Sequence, residues 1–204
     1  MAHPLQALRD VMAEHQIDAY LIPTADFHGS EYVGEHFACR EYISGFTGSA
    51  GTLVVLPEQA ALWTDGRYFL QAAEQLTGST IDLMRMGQPG VPTIGAFLAE
   101  HLPEGGVLGF DGRTVSSSFA HTLETALAEK HIRFHGSEDL VDAVWPDRPA
   151  LSDRPVWELT GCGMSREEKL ELSQIYSLCG LLDQERIIQN ERPFRSPHHT
   201  VTAQ

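Results

Sequence analysis

The glycine-rich segment Ser44-Gly-Phe-Thr-Gly-Ser-Ala-Gly-Thr52 runs straight into the apolar stretch Leu53-Val-Val-Leu56. A second apolar stretch, Ala60-Ala-Leu-Trp63, follows after Pro57-Glu-Gln59, and it leads into Thr64-Asp-Gly-Arg-Tyr-Phe69. Short apolar runs bounded by turn formers specify strands, and so brief a spacer closes them into a hairpin. The expected strands are 52–56 and 60–64, the first delivered by a glycine-rich turn and the second ending at the start of a helix.

The rest of the chain fits around this hairpin. Leu5, Leu8, Val11 and Met12 recur at helical spacing, so 4–16 reads as an amphipathic helix. Residues 19–22 form a short strand stopped by Pro23, and 26–44 read as loop and short helix. Phe69, Ala72, Ala73 and Leu76 share one face of a helix over 68–76. A strand follows at 81–86, a helix at 93–102 with Thr93 or Pro92 at its start, and a strand at 107–110. A serine-capped helix over 117–130 and a strand at 132–134 complete the alternation. Strands alternating with helices, with one hairpin among them, predict an α/β fold with a mixed β-sheet flanked by helices. The prolines of Pro146–Pro155 read as a linker out of this domain.

With 204 residues, 42% of them apolar and 21% charged, the chain has the composition of a globular protein. A formal charge of -14, from 28 acids against 14 bases, repels phosphate backbones and argues against nucleic acid as a partner. No apolar run reaches the ~18 residues of a membrane span. Met1-Ala-His-Pro-Leu-Gln6 has neither the basic nor the apolar region of a secretory signal. Cys39, Cys162 and Cys179 are widely spaced and fit free thiols in a reducing cytoplasm.

Several residue groups carry possible chemistry. Gly45, Gly48 and Gly51 suggest a phosphate cradle, but their loop leads into a strand and no lysine follows, so close backbone packing in a tight turn is the favoured reading. His28, Glu31, His36 and Cys39 are metal-ligand types whose spacing fits no compact zinc pattern, which favours a solvated polar loop. Asp65-Gly66-Arg67 lies where a strand gives way to a helix. Asp65 there is a candidate helix cap, and Arg67 is either an ion-pair residue or a guanidinium held to bind a peptide carboxylate or carbonyl. Trp63 reads as core or domain-interface packing. No arrangement of serine, cysteine and histidine resembles a catalytic triad.

The sequence words Leu21-Ile-Pro-Thr24, Ser30-Glu-Tyr32, the glycine-rich segment, Leu62-Trp-Thr-Asp-Gly-Arg-Tyr-Phe-Leu-Gln-Ala-Ala73, Leu83-Met-Arg-Met-Gly87, Leu140-Val141 and Trp145-Pro-Asp-Arg-Pro149 belong together. They resemble the N-terminal, creatinase-like domain of Xaa-Pro aminopeptidases, the aminopeptidase P family, over roughly residues 3–160. The resemblance implies a mixed sheet of the creatinase N-terminal type and a cytoplasmic, often dimeric enzyme that removes a residue preceding proline. In that family a C-terminal domain holds two divalent metals, typically manganese, between two aspartates, one histidine and two glutamates. None of these ligands transfers to this chain, so the resemblance implies a non-catalytic domain without a cofactor of its own. Its role would be to supply homodimer contacts and to shape access to the active site of a metallopeptidase domain. Phe46, Asp65, Arg67 and Tyr68 are the candidate access or interface residues. The alternative function is a stand-alone module that binds a small ligand or peptide between the 45–51 and 65–68 loops.

The tail has a different character. Met164-Ser-Arg-Glu-Glu-Lys-Leu-Glu-Leu172, continuing to Leu182, and Arg192-Pro-Phe-Arg-Ser-Pro-His-His-Thr200 resemble magnesium-chelatase-type AAA+ ATPases of the competence-related branch. The chain lacks a Walker A motif, so no working ATPase is expected. Two parts are therefore expected: the creatinase-like domain over 1–160, and a poorly packed helical and extended tail over 161–204. Their junction falls near Ser165–Leu170 and is attributable to fusion, recombination or assembly of the sequence.

Overall fold

A computed structural model describes residues 3–153, 163–165 and 167–172. The chain divides into two compact units, Met1–Ser152 and Asp153–Gln204. In the first, α1 (Pro4–Glu14) leads to β1 (Ala19–Pro23), a 3-10 turn (Glu35–Phe37) and α2 (Cys39–Ser44). The hairpin β2 (Thr52–Val55) and β3 (Ala60–Thr64) follows, then α3 (Phe69–Gln75), β4 (Ile81–Arg85), α4 (Ile94–His101) and β5 (Val107–Phe110). The unit continues with α5 (Ser117–Leu127), a 3-10 turn (Ala128–Lys130), β6 (Arg133–His135) and α6 (Leu140–Val144).

Local chemistry accounts for most of these boundaries. Pro4 opens α1, where its missing N–H costs nothing. The Thr93 and Ser116 side chains accept hydrogen bonds from Ala96 N and Phe119 N, capping α4 and α5. The hairpin closes as Leu56 N donates to Gln59 O at 2.8 Å, with Leu53 opposite Leu62 and Val54 opposite Ala61.

The six strands lie in the order β4-β3-β2-β1-β5-β6. β2 runs antiparallel to β1 and β3, while the β1–β5, β5–β6 and β3–β4 pairs are parallel. The sheet is mixed and flanked by helices, as the alternation predicted. Because side chains of a strand alternate faces, the apolar runs feed two cores. Tyr20, Ile22, Leu53, Val55 and Leu62 pack on one face with residues of α1, α2, α3 and α6. Leu21, Val54, Ala61 and Trp63 pack on the other with Phe97, Leu98, Leu123 and Leu127 of α4 and α5. Leu8, Leu62 and Leu98 are fully buried. Each such side chain contributes roughly 1.5–3 kcal/mol to folding.

This topology has one consequence for function. Since β2 alone is reversed, the carboxyl ends of the other five strands meet the amino end of β2 at a single edge. The glycine-rich loop and the Asp65-Gly66-Arg67 turn therefore share that edge.

Two features depart from expectation. α6 went unrecognised; it is only five residues long and starts at Asp139, whose carboxylate accepts from Val141 N. The first residues of the expected linker are not loose. Trp145 stacks on Tyr42 with 4.3 Å between ring centroids and 8° between planes, and Arg148 is anchored in the domain. In the second unit, residues 167–172 are helical. Ser165 and Glu168 cap this helix reciprocally, Ser165 N donating to the carboxylate and Glu168 N to the hydroxyl. The rest of the tail, including His198 and His199, lies outside the described residues.

Candidate functional site

The glycine-rich loop is organised by a residue that the sequence reading passed over. Arg40, on α2, is 4% exposed. Its guanidinium donates to Thr24 Oγ1 at 2.7 Å, to Phe46 O at 2.6 Å and to Gly48 O. All three acceptors are neutral, so burial pulls its pKa down to about 10, which still leaves it charged at neutral pH. A buried charge is tolerated only when its donors are satisfied, so Arg40 and the loop carbonyls fix each other. Gly45 turns the chain out of α2 at φ +73°, and a Cβ on Gly48 would overlap the rings of Phe46 and Tyr68. These glycines serve close packing. Phe46 is completely buried and acts as the plug of the loop.

The clamp reaches the candidate site through Tyr68. The ring of Phe46 meets that of Tyr68 edge-on at 5.9 Å, and Ser49 Oγ lies 2.7 Å from the Tyr68 hydroxyl. Next to it, Asp65 forms a turn with Arg67. Its Oδ1 accepts from Arg67 N and Nε at 3.0 Å each, and its Oδ2 from Nη2 at 2.9 Å. Asp65 thus closes its own turn instead of capping α3, whose N-cap residue, Tyr68, makes no side-chain cap hydrogen bond. The hydrogen bonds from Arg67 hold the Asp65 carboxyl below the usual carboxylate range and push the Arg67 pKa up. The Arg67 side chain remains 61% exposed, with Glu31 3.8 Å away as its other acidic neighbour. Arg67 and Asp65 line a groove of about 510 Å³ that also takes in Thr24, Glu31, Gly51 and Met86. Asp65, Arg67 and Tyr68 thus stand side by side, with Phe46 against the Tyr68 ring. Trp63 belongs to the core: it is 2% exposed, donates to Pro92 O and meets Phe97 edge-on.

The same tripeptide recurs at the end of β5 as Asp111-Gly112-Arg113, a repeat that could have been found in the sequence. There Arg113 also reaches Asp139 at 2.8 Å, and Asp139 accepts from the buried Arg148 at 2.6 Å. Arg148 further donates to His36 O and Cys39 Sγ. Burial pushes the Cys39 thiol up to about 12, so it stays protonated. His36 Nδ1 lies 2.8 Å from Pro149 O, and His28 packs on Phe27. His28, Glu31, His36 and Cys39 thus point to separate partners. Among the described residues, no three His, Cys, Asp or Glu side chains form a group able to hold a metal. The described residues do not fit a two-metal centre.

Residues 4–144 match the family model of the Creatinase/Prolidase N-terminal domain. The chain belongs to that family. A short second match, to Magnesium chelatase, subunit ChlI, covers residues 159–204. The creatinase-like domain is 50% identical over 143 residues to Aminopeptidase P2 of Arabidopsis thaliana, covering 69% of this chain and 20% of that protein. Xaa-Pro aminopeptidase ApepP of Drosophila melanogaster is 42% identical over 160 residues, covering 74% and 26%. The chain thus spans about a fifth to a quarter of these curated relatives. Among solved structures, X-prolyl aminopeptidase from Caenorhabditis elegans superposes with a TM-score of 0.73 at 33% identity, covering 87% of this chain and 31% of that one. That protein is described as a cytosolic enzyme with a di-nuclear active site. The N-terminal domain of cytoplasmic peptidase PepQ from Mycobacterium tuberculosis gives 0.50 at 29% identity, covering 69% of this chain and 97% of that domain. The creatinase N-terminal fold is therefore established here, and residues 4–144 are an N-terminal creatinase-like domain of the kind found in aminopeptidase P-type proteins. No helix among the described residues is long and apolar enough to cross a membrane.

Proposed function

We propose that this domain is a non-catalytic module of a cytosolic Xaa-Pro aminopeptidase, supplying homodimer contacts and shaping access to a metallopeptidase domain that holds two divalent metals such as manganese. The observation that carries this reading is the exposed, pre-oriented guanidinium of Arg67 in a groove at the sheet edge. Its surroundings are of interface composition. Tyr32, 79% exposed, adjoins Glu31; Leu70, 89% exposed, is the second residue of α3, just after Arg67; Met86, 51% exposed, lines the groove. Aromatic residues, methionine and arginine are enriched where surfaces are buried by a partner. The Nε–Nη2 edge of Arg67 is paired with Asp65, and the N–H groups left over at its Nη1 end suit a peptide carboxylate or carbonyl in a way lysine does not reproduce.

The test uses a full-length protein carrying this domain. Arg67→Lys should lower kcat/KM on an Xaa-Pro peptide while the melting temperature stays put, and Leu70→Asp should weaken the dimer. Unchanged kcat/KM together with an unchanged dimer would rule the reading out. The present chain, purified alone with added manganese, should release no residue from such a peptide.

A further inference from the structure

The chain contains two Asp-Gly bonds, at Asp65–Gly66 and Asp111–Gly112, and no Asn-Gly bond. An Asp-Gly linkage is prone to close on itself, because glycine has no Cβ to keep its amide nitrogen away from the neighbouring carboxyl carbon. Both bonds sit in the same kind of turn. In each, the aspartate accepts from the backbone N and the Nε of the arginine two residues on. That clamp restrains both carboxyl groups alike.

The attacking nitrogens differ. Gly112 N donates to Gly136 O at 3.1 Å. Among the described residues, Gly66 N makes no hydrogen bond. Space differs in the same sense. A Cβ on Gly112 would overlap Gly136 O, whereas one on Gly66 would meet nothing closer than Phe69 Cε2 at 3.9 Å. The Asp65 side chain is also far more open to solvent than that of Asp111. Water can therefore leave and return at Asp65, and the nitrogen beside it is free to move.

We propose that Asp65 is a site of spontaneous conversion to isoaspartate, and that the packing of Gly112 protects Asp111 from the same reaction. Gly66 N attacks Asp65 Cγ. The N–Cγ bond forms, and the carboxyl hydroxyl departs with the amide proton as water. The cyclic imide then takes up one water. Attack at Cγ restores aspartate, while attack at the main-chain carbonyl breaks the original peptide bond and leaves the chain running through Cγ. The composition is unchanged and no oxidant is needed. Hydrogen bonds from Arg67 keep the Asp65 carboxyl ionised, which slows the first step without blocking it. Isoaspartate lengthens the main chain by one methylene and moves the free carboxylate onto Cα, so the grip on Arg67 N and Nε is lost. The groove then ages at its most exposed charge. The proposal is independent of the role given to Arg67.

Incubation of the intact chain for weeks at neutral pH, folded and in urea, tests it. Peptide mapping with electron-transfer fragmentation distinguishes isoaspartate from aspartate at each position. In the folded chain isoaspartate should form about fivefold faster at 65 than at 111, the factor that one net hydrogen bond on the attacking amide carries. In urea the two rates should converge, because both amides are then free. Gly66→Ala, which the space around Gly66 accommodates, should slow position 65 about tenfold and leave position 111 unchanged. No isoaspartate at 65 in the folded chain, a rate at 111 equal to or above that at 65, a ratio that persists in urea, or no slowing by Gly66→Ala would each overturn the proposal.

Discussion

The turns Asp65-Gly66-Arg67 and Asp111-Gly112-Arg113 follow two strands of the same sheet and share their local geometry. In each, the aspartate accepts from the arginine backbone N, at 3.0 and 2.9 Å, and from Nε at 3.0 Å in both. Beyond the turn they diverge. The Asp111 side chain is 13% exposed, and Arg113 continues to Asp139, which is 11% exposed and shared with Arg148. The Asp65 side chain is 38% exposed, and among the described residues the one further acid that Arg67 meets is the exposed Glu31 at 3.8 Å. One turn is closed into a charge network that ties β5, α6 and the departing chain together. The other is left open at the mouth of a groove. Identical local chemistry thus yields a structural joint in one place and a candidate binding group in the other, and the partners supplied by distant segments make the difference.

The largest effect should come from breaking the closed network at its buried end. Arg148, whose side chain is 4% exposed, serves Asp139, Asp142, His36 and Cys39. Arg148→Ala should cost about 3 kcal/mol in urea unfolding, the scale for removing one partner of a buried charge pair. A loss within the ordinary surface range of about 0.5 kcal/mol would show that the joint is not closed. The matched pair of lysine substitutions gives a sharper contrast. Arg113→Lys should cost about 1.5 kcal/mol, because lysine cannot span both aspartates. Arg67→Lys should stay within ~0.5 kcal/mol, as for other exposed positions. Equal losses in the two variants would erase the distinction between open and closed turns.

The smallest effect concerns protonation. Hydrogen bonds from Arg67 hold the Asp65 carboxyl below its ordinary value, so the folded state favours the ionised form. Any stability from this contact is present above the unfolded value of about 3.9 and is lost as pH falls through the lower folded value. Carboxyl NMR should show Asp65 titrating low, and Arg67→Ala should move it up toward the ordinary range. If it does not move, the turn is held by its backbone alone.

Much of the frame was legible in the sequence. The hairpin followed from apolar runs of strand length around a short spacer, and α4 and α5 from Thr93 and Ser116 acting as caps. Of the candidate site, the turn at Asp65 and Arg67 was legible because its residues are neighbours along the chain, although Asp65 closes a turn and caps no helix. Arg40 was missed because nothing near it in sequence marks it as buried. Its role depends on Phe46 and Gly48 folding back over it. The joint at Arg148 was missed because its contacts to His36 and Cys39 span 112 and 109 residues.

By itself, then, the sequence determined whatever depends on neighbours along the chain. Strand and helix periodicity, proline and glycine punctuation, and the hydrogen bonds of an Asp-Gly-Arg turn all act within a few residues. Only the tertiary structure decided which of the two turns stays open, where Arg40 spends its charge, and that the segment after α6 is bound to the domain. Those outcomes depend on burial, because desolvation makes each buried guanidinium and carboxylate seek a partner, and that partner comes from wherever the fold brings one within reach.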